Sequence, residues 1–325
     1  MDESILTAAA AAFGCDAAAC SQVRGGNFSH VYALPHALGP SILRITPPNA
    51  EIDEGWLEAT LAFMDHLARA GVSVPAPRSS LNGRLVESLP APQGAYHVTC
   101  FERAPGVLAE ELPFSVWDAG LYQTLGQAVG AFHAAARTYQ PQTGMERPHW
   151  DQAGNCFNPS ESIADARLAQ RRAEALAAVQ ALPRDPLAYG LIHTDLHGGN
   201  FMLDVQDGRV TLLDFDDCAY GWDAVDIAMC LHDFCVLTPR PDKDAFAAHF
   251  LLNFLRGSLA SYPLETIWIE RLPLFLKLVE TGIYAQVAEF APSESPESWV
   301  GRFMRGRVER IARGAPVVEI DFAQI

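Results

Sequence analysis

The densest polar cluster of the chain is His193-Thr194-Asp195-Leu196-His197-Gly198-Gly199-Asn200, set between the apolar runs Leu191-Ile192 and Phe201-Met202-Leu203. Polar side chains packed this tightly between apolar flanks are costly to bury without a purpose. Asp195 and Asn200 stand five residues apart across two glycines, a spacing that lets a tight loop present a carboxylate and an amide oxygen to one point. Shortly after, the apolar run Val210-Thr211-Leu212-Leu213 ends in Asp214, Phe215, Asp216 and Asp217. Converging carboxylate and amide oxygens suit Mg²⁺, a hard cation usually held by few protein ligands plus phosphate oxygens. The chemistry this suggests is phosphoryl transfer, which needs a carboxylate at the acceptor hydroxyl, metal ligands, and a cation on the nucleotide phosphates. Asp195 can be the base, and Asn200 and Asp214 the ligands. The chain has only two lysines, Lys243 and Lys277, both far downstream. Any cation from the N-terminal region must therefore be an arginine. Arg44, in the middle of an apolar strand, is best placed, and its guanidinium fork can hold phosphate oxygens bidentately.

The elements that must position these groups fall into two regions. Residues 4–13 read as a short helix, residues 23–32 as strand, glycine turn and strand, and residues 41–46 as a further strand ending at Pro47-Pro48. From 51 to 70, Ile52, Trp56, Phe63 and Leu67 fall mostly at helical spacing, with Gly71 as the stop. Strands are predicted at 83–88 and 95–101, and Glu102-Arg103-Ala104-Pro105-Gly106 is the turn out of this α+β region. Beyond it the pattern is mainly helical: 115–137, 162–181, 223–235, 244–262, 264–290 and 297–313. Between the second and third of these, a loop is followed by a hairpin turning at Asp207-Gly208.

With 325 residues, of which 49% are hydrophobic and 19% charged, the chain can bury a sizeable core. That excludes disordered, collagen-like and low-complexity classes. The net charge of −16 disfavours contact with a phosphate backbone, so no nucleic-acid partner is expected. Seven irregularly spaced cysteines with no C-x-x-C pair suggest neither a zinc ribbon nor a disulfide framework. The start Met1-Asp2-Glu3-Ser4 lacks the positive charge of a secretory signal, and no apolar run is long enough for a membrane span. A soluble cytoplasmic protein is the expectation; its oligomeric state stays open.

The octapeptide at 193–200 followed by Leu213-Asp214-Phe215-Asp216 resembles the signature of the aminoglycoside phosphotransferase family, a group of small-molecule kinases related to choline kinase that share the protein-kinase-like fold. The usual loop reads H-G-D-x-x-x-x-N followed by an I-D-[FW] strand, and the resemblance covers roughly residues 20–290. It implies an α+β, two-lobed fold, with a nucleotide-binding lobe at 1–102 and a catalytic, acceptor-binding lobe at 103–325. The active site is expected where Arg44 meets Asp195 and Asp214. ATP and Mg²⁺ are the implied cofactors and a hydroxyl-bearing small molecule the implied partner. The resemblance makes Asp195 the base, Asn200 and Asp214 the metal ligands, and Arg44 the phosphate contact, with Glu58 as its ion-pair partner and Glu54 one turn earlier on the same face. Gly25, Gly26, Asn27 and Ser29 would cover the phosphates, and the backbone of Phe101, Glu102 and Arg103 would hold adenine. Three departures stand out: Thr194 replaces the usual glycine, Arg44 the usual lysine, and the glycine loop lacks full G-x-G-x-x-G spacing.

Several residues admit two roles. His193 and His197 are either ligands of an H-x-D-x-H metal site, as in a metal-dependent hydrolase, or pins that hydrogen-bond the loop, the role favoured for both. Asp216 and Asp217 hold metal, face the acceptor, or simply end a strand. Asp226 caps a helix or braces the catalytic loop. Trp222 is either a platform for the acceptor or core. The acidic residues Asp217, Asp223, Glu280 and Glu289 would suit an amine-bearing acceptor. A protein Ser/Thr acceptor, as in a stress-response kinase, is the alternative within the same chemistry.

Overall fold

The computed structural model describes residues 2–23, 29–48, 52–152, 157–158, 163–236 and 242–325. The expected phosphate-loop residues Gly25, Gly26 and Asn27 lie outside them. The chain divides into two compact units. The first comprises residues 1–106, 139–146 and 211–216, and the second the remainder. Asp214 and Asp216 therefore fold with the N-terminal region, although more than a hundred residues separate them from it in sequence.

In the first unit, α1 (Glu3–Ala12) precedes strands β1 (Ser21–Gln22), β2 (His30–His36) and β3 (Gly39–Thr46), then α2 (Glu54–Arg69) and β4 (Pro77–Arg78), β5 (Val86–Ala91) and β6 (Gly94–Glu102). These six strands form one sheet with the path β1-β2-β3-β6-β4, and β5 also pairs with β6. Strand alternation sends Leu43 and Ile45 into a core with Ala9, Ala10 and Phe13 of α1 and its end. Arg44, between them, faces the other side of the sheet, because side chains on a strand alternate with a period of two. Arg44 is paired in register with Val31 and Thr99. Helix α2 starts where the Asp53 carboxylate accepts from Trp56 N at 2.8 Å. It buries Leu57, Leu61, Phe63, Met64 and Leu67.

Residues 211–216 join this unit through short-range contacts. Leu212 N–H donates to Ser73 O at 3.0 Å, and the hydroxyls of Ser73 and Thr211 lie 2.8 Å apart. The buried Phe215 meets Phe63 of α2 edge-on, with centroids 6.1 Å apart.

The second unit begins with β7 (Val107–Leu108), α3 (Ala119–Ala136), α4 (Ala166–Gln180), β8 (Tyr189–Ile192), β9 (Phe201–Asp204) and β10 (Arg209–Leu212), the last of which carries the chain into the first unit. It continues with β11 (Ala219–Trp222), α5 (Asp223–Val236), α6 (Lys243–Ser261), α7 (Thr266–Glu270), α8 (Leu272–Val287), α9 (Trp299–Met304) and α10 (Arg307–Ala312). Two helices predicted as continuous are each broken. The 264–290 segment divides at Arg271, and the 297–313 segment divides at Gly306, whose φ of 64° is left-handed. Strand β8 pairs with β11, and β7 with β9, so the loop 193–200 is strung between two strands that are each fixed to a neighbour.

Helices α3 and α6 pack with almost no space between their backbones. A Cβ on Gly126 would lie 1.9 Å from Phe254 O, and one on Gly257 would lie 1.9 Å from Gln123 O. This contact seats α3, whose His133 reaches the brace of the 193–200 loop described below. Gly126→Ala is expected to destabilise the protein by about 3 kcal/mol, the upper range for an overpacked core. Its denaturant midpoint would be compared with that of Ala128→Gly, a helix-propensity loss of ~1 kcal/mol without overpacking.

Candidate active site

The second unit assembles one group of candidate residues around residues 193–200. Asp226, in the first turn of α5, has no solvent exposure. Its carboxylate accepts from His193 N at 3.0 Å, Thr194 N at 2.8 Å and His133 Nε2 at 2.9 Å. It thus accepts bonds from the backbone of the loop itself, where an N-cap would accept from its own helix. The turn it holds is unusual: Thr194 has φ 71°, a left-handed conformation that costs a β-branched residue on the order of 1–3 kcal/mol. A glycine would adopt it without that cost. The threonine bears that cost and gains a bond from its hydroxyl to Asp217 O at 2.8 Å.

Asp195 follows directly, its side chain 42% exposed. Asn200 Nδ2 donates to both its carbonyl, at 2.9 Å, and its Oδ2, at 3.1 Å. His197 Nε2 lies 3.4 Å from the same Oδ2. Partial loss of water pushes the Asp195 carboxyl up, but the His197 and Asn200 contacts and the charge near His193 outweigh it and hold it below the usual carboxylate value. Asp195 is therefore ionised at neutral pH. Both side-chain contacts are made to the same carboxylate oxygen, Oδ2. Because Asn200 turns its amide nitrogen to Asp195, its amide oxygen faces the opposite way.

His193 and His197 both accept from backbone amides: His193 Nδ1 from Asp195 N at 3.4 Å, and His197 Nδ1 from Gly199 N at 3.0 Å. In both rings Nδ1 is thereby committed to the loop backbone. Burial pulls the His197 pKa down, yet Asp195, Asp233 and Glu110 raise it to about 9. Those carboxylates favour the imidazolium at neutral pH, whose second proton, at Nδ1, would displace the Gly199 N–H bond. The sequence reading missed two carboxylates here. Asp233 Oδ2 accepts Gly198 N at 2.8 Å, and the exposed Glu110 lies against the Gly198–Gly199 turn. Asp233 was findable: with Asp226 and Cys230 it falls on one face of an otherwise apolar helix.

The first unit assembles a second group. Arg44 Nε donates to Ser29 Oγ at 3.1 Å, its Nη2 pairs with Asp216 Oδ2, and its Nη1 lies 3.9 Å from Asp214 Oδ1. Asp214, 48% exposed, has φ 55°, which turns the chain between Leu213 and Phe215. The ion pair between Arg44 and Glu58 is not made. Asp216 takes that place, and Glu54 is paired with Arg84 and Ser88. The amides of Glu102 and Arg103 are committed to Ala76 O and Pro40 O, at 2.9 and 3.0 Å, and Phe101 is paired within β6.

Other expectations are corrected. Trp222 is core, 1% exposed, its indole N–H on Pro183 O at 2.9 Å and its ring against Tyr189 and Trp150. No acceptor can stack on it. Asp223 and Glu280 are also buried and already neutralised, Asp223 by Arg137 and Glu280 by Arg307 and Arg310. Neither offers charge to an amine, which leaves the partly exposed Asp217 and exposed Glu289 of that set. Among the described residues, no group of three or more His, Cys, Asp or Glu side chains is arranged to hold a metal. A divalent ion held by few protein oxygens and a ligand's own would not require such a group.

A two-lobed kinase-like α+β fold carrying a braced carboxylate loop is the class to which these features point. Residues 19–262 match the model of the phosphotransferase enzyme family, and the chain belongs to that family. It is a phosphotransferase with an alcohol group as acceptor, a small-molecule kinase. It is 29% identical to amicoumacin kinase of Bacillus subtilis (strain 168), over 100% of this chain and 96% of that one. The solved structure of amicoumacin kinase hAmiN in complex with AMP-PNP, Ca2+ and Ami is 27% identical with a TM-score of 0.87, covering 99% of this chain and 96% of that one. A microcompartment-associated aminopropanol kinase shares the fold, with TM-score 0.75 at 21% identity over 96% of this chain and 98% of that one.

Removing the brace tests its role in the fold. Asp226→Ala leaves two buried loop amides and His133 without their acceptor and is expected to cost about 3–5 kcal/mol, read from the denaturant midpoint.

Proposed function

We propose that the protein transfers the γ-phosphoryl group of ATP, with Mg²⁺, to a hydroxyl of a small amine-bearing metabolite in the cytoplasm. The observation that carries this is the Asp195 carboxylate, ionised, held at Oδ2 by His197 and Asn200, on a side chain 42% exposed. In that role Asp195 orients the acceptor hydroxyl and takes its proton as the oxygen–phosphorus bond forms. Mg²⁺, held by Asn200 and Asp214, would supply charge neutralisation on the phosphates. Arg44 contacts the phosphates from its strand, Ser29 belongs to the segment over them, and the backbone of the 101–103 stretch receives adenine. His193 and Asp226 keep the loop in register, and Asp217, tied to it by Thr194, faces the acceptor.

An amine on the acceptor suits the carboxylates beside the base, above all the exposed Glu110. It also agrees with an aminopropanol kinase among the relatives in fold. The described cysteines are free thiols, as a reducing compartment keeps them. Among the described residues no helix is long and apolar enough to cross a membrane.

The test is ADP release from ATP and Mg²⁺ against a panel of amino alcohols, amino acids and amino sugars. Asp195→Asn is expected to lower turnover of the acceptor found by about 10²–10⁴-fold while AMP-PNP still binds. Undiminished turnover in that variant, or turnover unaffected by EDTA, would refute the proposal.

A further inference from the structure

Arg44 donates from Nε to Ser29 Oγ, pairs through Nη2 with Asp216 Oδ2, and has Nη1 3.9 Å from Asp214 Oδ1. Since the guanidinium is planar, two fixed N–H directions set the third. Nη1 is thereby turned to the side of Asp214. Ser29 is in turn fixed by Thr46 Oγ1, 3.2 Å away. Both charged side chains of the Arg44–Asp216 pair are mostly removed from water, at 18% and 17% exposure. A pair so placed is tolerated only where its geometry is well fixed.

Asp216 is fixed through its main chain. The Trp56 indole N–H of α2 donates to Asp216 O at 3.1 Å, and one residue earlier Phe215 lies against Phe63 of the same helix. Helix α2 therefore reaches Arg44 through the strand end that carries Asp214, by an indole and a phenyl ring. Its own carboxylates take no part: Glu54 is bound to Arg84 and Ser88, and Glu58 forms no pair with Arg44.

We propose that Asp216 is the positioning residue that aims Arg44 at the nucleotide phosphates, with Trp56 as the tie that couples α2 to it. This rests on the phosphate-contacting role of Arg44 given above. Asp216 touches Arg44 and acts on the phosphates only through it.

The experiment needs no acceptor. Binding of AMP-PNP with Mg²⁺ and binding of adenosine are measured by calorimetry for the wild type, Arg44→Gln, Asp216→Asn, Asp216→Glu, Trp56→Phe and Glu58→Gln, with thermal unfolding of each. Asp216→Asn is expected to weaken AMP-PNP by about tenfold and leave adenosine unaffected. Asp216→Glu should recover part of the loss, Trp56→Phe should show a smaller loss of the same kind, and Glu58→Gln a loss smaller than that of Asp216→Asn. A general packing defect would weaken both ligands together and would overturn the proposal. So would tighter AMP-PNP binding in Asp216→Asn, which would make Asp216 a competitor of the phosphates. A larger loss in Glu58→Gln would return the role to the helix. If Arg44→Gln binds AMP-PNP as the wild type does, the phosphate role of Arg44 itself fails; if Arg44→Gln is weak and Asp216→Asn is not, only the present inference does.

Discussion

A single carboxylate without access to water holds the 193–200 loop in shape. Asp226 satisfies two consecutive loop amides and an imidazole at once, and a buried anion with three donors is stable only in that arrangement. The left-handed turn at Thr194 is what places those two amides on the same side. Strain in the loop and charge in helix α5 thus stabilise each other. Asp195, the next residue, inherits its direction from them, and the tight contact of α3 with α6 keeps the third donor, His133, in place.

Two departures from the family's usual residues have physical consequences that the substitutions alone do not show. Threonine in place of glycine accepts backbone strain and gains a hydroxyl bond to Asp217 O, which links the 193–200 loop to the chain just past Asp216. Arginine in place of lysine brings a planar fork that needs more than one partner to be aimed. Ser29 and Asp216 supply them. A lysine, as a point charge, would need one partner, and a helix glutamate would suffice.

One scaffold of this family serves many acceptors, and the charges near the base separate what can recognise an acceptor from what holds the protein together. Asp223 and Glu280 are acidic residues of the second unit whose charge is consumed inside it by arginines. Glu110 is different: it is exposed and sits on the glycine turn between His197 and Asn200. Net charge along the helices is a poor guide to that difference, because it does not report which carboxylates already have partners.

The sequence alone carried the α+β class and the long helices and strands, because apolar periodicity and capping residues such as Asp53 and Asp118 act locally. It also singled out Asp195, Asn200 and Asp214, because their spacing is compact and their chemistry specific. Only the tertiary structure decided that Asp214 and Asp216 fold with the N-terminal unit, that Arg44 pairs with Asp216 and not with Glu58, and that Trp222 is core. Those outcomes depend on contacts between residues far apart along the chain, such as Ser73 with Thr211 and Trp56 with Asp216. The breaks at Arg271 and Gly306 were missed for a related reason. Apolar periodicity continues across each, and what stops the helix is a local backbone turn that the surrounding packing selects.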